Sequence, residues 1–186
     1  MKKQLGVILA AVVVSLFLVS VSFGQSAYKM GDRVVGAGIG LGGLAGLYGD
    51  DTLPPISLGY EYGYNETISF GGIVGFAGSE VKYIGSGGSY GWDYTYIIIG
   101  ARGAYHFLDL FKDAKMDPYL GITLGYNVVS VKETGTIPGG FSASGSYLVY
   151  GGHAGLRYYF SPNLGAQVEI GYGLGVINIG IAYKLP

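Results

Sequence analysis

From Arg33 to the end of the chain, branched or aromatic residues alternate with small or polar ones in segments of about ten residues. Period two puts the two kinds on opposite faces of a β-strand, and ten-residue alternating segments separated by turn residues are the pattern of a membrane barrel. In 33–47, Val35, Ala37, Ile39 and Leu41 share one face, with Gly36, Gly38, Gly40 and Gly42 on the other. Asp50-Asp51-Thr52-Leu53-Pro54-Pro55 interrupts the pattern and reads as a connection. The second strand then sets Ile56, Leu58, Tyr60, Tyr62 and Tyr64 against Ser57, Gly59, Glu61 and Gly63. After a tight Asn65-Glu66 turn, Ile68, Phe70, Val74 and Phe76 oppose Ser69, Gly71 and Gly75.

The rhythm continues. The fourth strand, about 92–107, places Ile97, Ile99, Ala101, Tyr105 and Phe107 opposite Arg102 and His106. The fifth, from about Tyr119, has Leu120, Ile122, Leu124, Tyr126 and Val128 on one face and Thr123, Gly125 and Asn127 on the other. The sixth sets Leu148, Tyr150, Ala154, Leu156, Tyr158 and Phe160 against His153 and Arg157. The seventh sets Leu164, Ala166, Val168, Ile170 and Tyr172 against Gln167 and Glu169. The eighth sets Ile177, Ile179, Ile181, Tyr183 and Leu185 against Asn178 and Lys184. Residues 79–91 and 132–145 are rich in Gly, Ser or Thr and read as long, mobile surface loops; 65–66, 108–117 and 161–163 are the linkers of the opposite end.

Residues 1–24 carry an address. Lys2 and Lys3 precede an almost wholly apolar run from Leu5 to Val21, and Ser22-Phe23-Gly24 offers small residues where a signal peptidase reads. Cleavage before Gln25 leaves a mature domain of 25–186. No later segment approaches the roughly 18 apolar residues of a spanning helix. A mature chain that crosses a membrane must then do so as a closed barrel, where every backbone group is paired. The strands ending at Tyr62 and Tyr64, Tyr105 and Phe107, Tyr158 and Phe160, and Tyr183 put their aromatics on one rim, where amphipathic rings suit a membrane–water interface. The expected fold is all-β: an eight-stranded antiparallel up-and-down transmembrane β-barrel behind a signal peptide.

The leader, the eight-strand rhythm and the terminal Asn178-Ile179-Gly180-Ile181-Ala182-Tyr183-Lys184-Leu185-Pro186 together resemble the small outer-membrane barrels of Gram-negative bacteria, the group of the OmpA transmembrane domain, OmpX and the opacity proteins. The resemblance covers about residues 31–186. It implies outer-membrane localisation, lipid as the surrounding partner, a monomer, and recognition of the last strand by the barrel-insertion machinery, although this strand ends on Pro186 rather than Phe or Tyr. It implies structural, adhesive, permeability or defensive roles without choosing among them.

Chemistry-bearing motifs are sparse. Gly38-Ile39-Gly40-Leu41-Gly42-Gly43 has a dinucleotide-binding spacing but lies inside a strand with no helix after it. Gly87-Gly88-Ser89-Tyr90-Gly91 has the nucleophile-elbow spacing without a strand-to-helix turn. His106 and His153 lie on different strands, with no nucleophile evident beside either and too few ligands for zinc. Cys is absent, and loss of Lys2 and Lys3 with the leader takes the formal charge from −1 to −3, no footprint for nucleic acid. No catalytic, cofactor or metal site is therefore expected.

One set remains: Glu61, Arg102, His153, Arg157, Glu169 and Lys184 all have the inward parity. They read as a polar network filling a narrow lumen, structural or a conduit. The leading functional expectation is a non-enzymatic outer-membrane barrel with a structural or surface-contact role. The alternative is a porin-like barrel that transports or binds a small molecule or lipid; an outer-membrane enzyme has the least support.

Overall fold

The computed structural model describes residues 26–42, 50–85, 88–111, 113–135, 142–171 and 175–186. The leader, 1–24, lies outside them. Eight strands form a closed antiparallel barrel in which each pairs with its sequence neighbours and the last with the first. They are β1 (Arg33–Leu41), β2 (Asp50–Gly63), β3 (Ile68–Gly85), β4 (Gly88–His106), β5 (Met116–Gly135), β6 (Ser142–Tyr159), β7 (Leu164–Gly171) and β8 (Ile177–Lys184), with a 3-10 turn at Leu108–Leu110. Stepping across the register from Tyr159 of β6 through all eight strands returns to β6 at Val149, ten residues away. That stagger tilts the strands by about 40° and leaves an interior that side chains can fill.

Facing follows the alternation. Ile99, Ile122 and Tyr150 point outward at 60%, 71% and 73% exposure, while Ser69, Asn127 and Asp117 are fully buried inside. A belt this apolar needs lipid rather than water around it. One rim carries the aromatics, including an edge-on Tyr64–Phe70 pair at 5.7 Å and Tyr105–Phe107 at 4.8 Å. The same end has the tight turns, where Asn65 Oδ1 accepts from the Thr67 and Ile68 amides and Ser161 Oγ accepts from the Leu164 amide.

Three connections differ from the sequence reading. Residues 50–55 belong to β2 and do not interrupt it. The register slips by one residue between Asp51 and Leu53 and again between Leu53 and Ile56, so Pro54 and Pro55 sit at a bulge, which spares proline the ladder N–H it lacks. Residues 79–85 and 88–91 are not a loop: β3 and β4 stay paired out to Gly85 and Gly88. Nor is 132–145 wholly a loop, since β5 continues to Gly135 and β6 starts at Ser142; 136–141 lie outside the described residues. The first strand ends at Leu41, before its expected bound. Local Gly and Ser content suggested turns, but cross-strand pairs decide where a sheet stops.

The lengthened strands reverse their polarity. Facing outward, the register row Phe76–Ile97–Val128 gives way to Gly78–Thr95–Ser130 and then to Glu80–Asp93–Lys132. Across the wall, the inward parity changes from polar to apolar. Val81 pairs with Trp92 and Tyr83 with Tyr90, and these three rings cluster at 5.3 to 5.9 Å. The switch marks where the apolar belt ends: beyond it, water bathes the outer face and the strands turn their apolar side inward.

Candidate functional site

The inward residues of six strands meet in the half of the barrel nearest the aromatic rim. Arg157 of β6, 3% exposed, organises one layer. Its two terminal nitrogens donate to both oxygens of Glu61 on β2, at 2.7 and 2.6 Å. Its Nε donates to Gln167 Oε1 at 3.0 Å, and Nη1 lies 3.4 Å from Asp117 Oδ2. The guanidinium also stacks 4.5 Å from the Tyr119 ring centre. A planar fork with five donors suits this bidentate and stacked arrangement as an ammonium would not.

A second layer joins Arg102 of β4, His153 of β6 and Glu169 of β7. Arg102 Nη2 donates to Glu169 Oε1 at 2.6 Å and contacts His153 Nε2. Tyr119 links the layers, because its hydroxyl donates to the same Glu169 oxygen at 2.7 Å while its ring lies against Arg157. The facing glycines give these groups room. A Cβ on Gly155 would fall within the Tyr119 ring, and one on Gly121 would strike His153.

Of the six residues expected in the lumen, five enter these two layers. Lys184 does not: it pairs with Asp32 at 2.9 Å and lies over the Tyr159 ring at 4.6 Å, beside the N-terminal turn. Six further residues join the site without belonging to that set. Asp117 falls within the expected linker 108–117, and Ser69, His106, Tyr119 and Gln167 share the inward parity of their strands. Tyr28 precedes the first strand and gave no periodic signal.

The space left is small. A cavity of about 30 Å³ is lined by Glu61, Ser69, Arg102, His153, Arg157 and Glu169 among others. A second, of about 40 Å³, lies between Ile73, Ile98, Thr123, Val149 and Asn178. Arg102, His153 and Glu169 line both and so stand between them. Each holds about one water, whose share of the liquid is ~30 Å³. Farther out, buried Ala77, Tyr96 and Ile98 pack with Tyr94, Val129 and Val149.

Known structures share this architecture. The N-terminal β-barrel domain of Pseudomonas aeruginosa OprF superposes with a TM-score of 0.56 at 13% identity, covering 85% of this chain and 100% of that one. Neisserial surface protein A superposes at 0.53 and 18% identity, covering 83% and 96%. Ail, the attachment invasion locus protein of Yersinia pestis, gives 0.48 at 19% identity, covering 84% and 99%. By fold, the chain is an eight-stranded antiparallel barrel of the kind these outer-membrane proteins form. No protein-family model matches its sequence, and no curated protein does.

Inside the barrel, one constellation corrects the sequence reading of His106. Its Nδ1 lies 2.6 Å from Asp117 Oδ1 and its Nε2 2.9 Å from Ser69 Oγ. The Asp117 carboxylate, which can only accept, takes its bond from Nδ1–H. A serine does neighbour this histidine, in the order of a hydrolytic relay. Its setting is a closed one. All three side chains are buried, and the Tyr28 ring stacks on the imidazole at 3.7 Å and 7°. A hydrolytic site also needs donors for an oxyanion and room for a reacting atom, and the cavity beside Ser69 measures about 30 Å³.

Proposed function

We propose that this chain is a non-enzymatic, non-conducting barrel of the bacterial outer membrane, with an envelope-structural role at membrane depth and a contact role on its projecting sheet. The closed lumen carries the proposal. Among the described residues, two ion-paired layers and an apolar layer leave lumen cavities of about 30 and 40 Å³, too small for a porin's water-filled channel. The outward apolar belt and its aromatic rim support placement in lipid, and the leader supports export. The extension of β3 to β6 beyond the belt supports surface contact, since its outer face carries the Glu80–Asp93–Lys132 row and its inner face the exposed Tyr83 and Tyr90.

Planar-bilayer recording on the refolded protein tests the proposal. No stepwise conductance is expected. Reproducible single-channel steps that vanish in a denatured control would favour the transport reading instead.

A further inference from the structure

The segment before β1 is folded into the barrel. Tyr28 is 2% exposed, although it lies outside every strand. Its ring covers His106, and its hydroxyl lies 2.9 Å from the Asn65 carbonyl oxygen and 2.6 Å from that of Ile68. Burial, reinforced by the carboxylates of Glu61, Asp117 and Asp32, raises its pKa, so the phenol stays protonated as a donor. Ala27 packs with Val34, Tyr159 and Ala182.

Only part of this segment is tied to the sheet. Gly31 N donates to Gly63 O and Gly63 N to Asp32 O, both at 2.8 Å, which extends the β1–β2 ladder by one step. Gly31 itself, at φ +86°, turns the chain, and Asp32 N donates to Lys29 O across the turn at 3.2 Å. N-terminal to Gly31, the segment is held by side-chain contacts, the Lys184 Nζ to Ser26 O bond and the bond from Lys29 N to Asp32 Oδ2 at 3.1 Å, not by strand pairing. The segment can therefore swing about Gly31 without unpairing a strand.

We infer that residues 26–31 are a plug for the periplasmic mouth, with Tyr28 as its stopper and the Ser69–His106–Asp117 relay as its seat. Asp117 and Ser69 hold the imidazole from both ring nitrogens, which fixes the plane on which Tyr28 stacks. Withdrawal of the plug uncovers the imidazole of His106, which Tyr28 covers and behind which Ser69 borders the polar chamber, and so brings small hydrogen-bonding solutes from the periplasm to Ser69. The chamber stays shut toward the outside, because the Arg102–Glu169 layer and the apolar layer beyond it are untouched. The plug rests on the membrane-barrel reading for its compartment.

The absence of native cysteine makes the test clean. Ser69→Cys introduces a single thiol behind the plug, and Thr123→Cys one beyond the Arg102–Glu169 layer. Each is placed in the otherwise unaltered barrel and in a Tyr28→Ala background, refolded into phosphatidylcholine vesicles and treated with a small charged methanethiosulfonate from the turn side. Folding is read independently by the gel shift between unboiled and boiled samples, so failure of the membrane reading appears there and not in the labelling rate. Tyr28→Ala should speed labelling of Ser69→Cys by about tenfold or more, as expected when a local closure loses its main buried contact. Labelling of Thr123→Cys should be unchanged. Asp32→Ala, which keeps the ring but frees the turn from Lys184, should give a smaller acceleration and serves if Tyr28→Ala does not fold. Equal rates at Ser69→Cys with and without the stopper, whether fast or slow, overturn the proposal. So does parallel acceleration at Thr123→Cys, which would mean general loosening of the barrel.

Discussion

Arg157 concentrates the lumen's electrostatics in one side chain. It satisfies Glu61 with two short bonds, reaches Asp117 and Gln167, and stacks on Tyr119. Arg157→Ala leaves two buried carboxylates without their counter-charge, and stranding a buried partner costs on the order of 3–5 kcal/mol. Urea unfolding in lipid vesicles should show a loss of that order, partly recovered when Glu61→Gln removes one of the stranded charges. A loss below about 1 kcal/mol, the scale of an exposed pair, would mean that the layer is solvated. On the other face of the wall, Ile99 points to lipid at 60% exposure, whereas Thr123 lines the second cavity. Ile99→Arg should cost roughly 2–4 kcal/mol near the midplane. Thr123→Arg points inward, within the lumen that holds Glu169, and should retain more folded protein. Comparable folded yields from the two variants would invert the facing assignment.

At the scale of elements, the strands are unequal. β3 to β6 run for 18 to 20 residues, but β1, β7 and β8 for only 8 or 9. The barrel therefore projects on one side as a sheet whose outer face bears Glu80, Lys82, Asp93 and Lys132. A cysteine replacing Lys82 should react with an impermeant maleimide on intact cells. One replacing Asp109, beside the 3-10 turn at the other end, should react only after the outer membrane is permeabilised. The opposite pattern would turn the barrel over. Insertion points at Gly87, Gly139 and Lys112, natural choices from the sequence, lie outside the described residues, so these two positions are the better reporters. Residues 79–85 and 88–91 are paired strand and not a mobile loop, and the paired segment should resist proteases added to cells.

For the whole molecule, closure is the governing fact. An eight-stranded ring has no free edge within the ladder from β1 round to β8, so opening it breaks many strand pairs together. The unboiled protein should migrate apart from the boiled protein in detergent gels, and a single boiling-independent band would count against a closed barrel. Inside the ring, the ionic layers act as filling. The inward glycines create volume that Tyr119, His153 and the two arginines then occupy, leaving space on the scale of single waters.

The alternating sequence determined the strand count, the antiparallel order and the facing of each residue within the apolar belt, because there a period of two leaves one apolar face per strand. It also placed charge inside, since a lipid-facing charge is costly at any register. It did not determine where strands end. Residues 79–91 look like a loop when read alone, yet Tyr83, Tyr90 and Trp92 meet across the hairpin and keep it paired. Nor did it determine which charges meet: Glu61 and Arg157 are 96 residues apart, and their contact follows from the ten-residue stagger of the closed register. The burial of Tyr28 was beyond its reach as well. That residue has no strand period to report its direction, and its place was decided by a mouth of matching size, with an imidazole face and two carbonyls, which exists only once the barrel has closed.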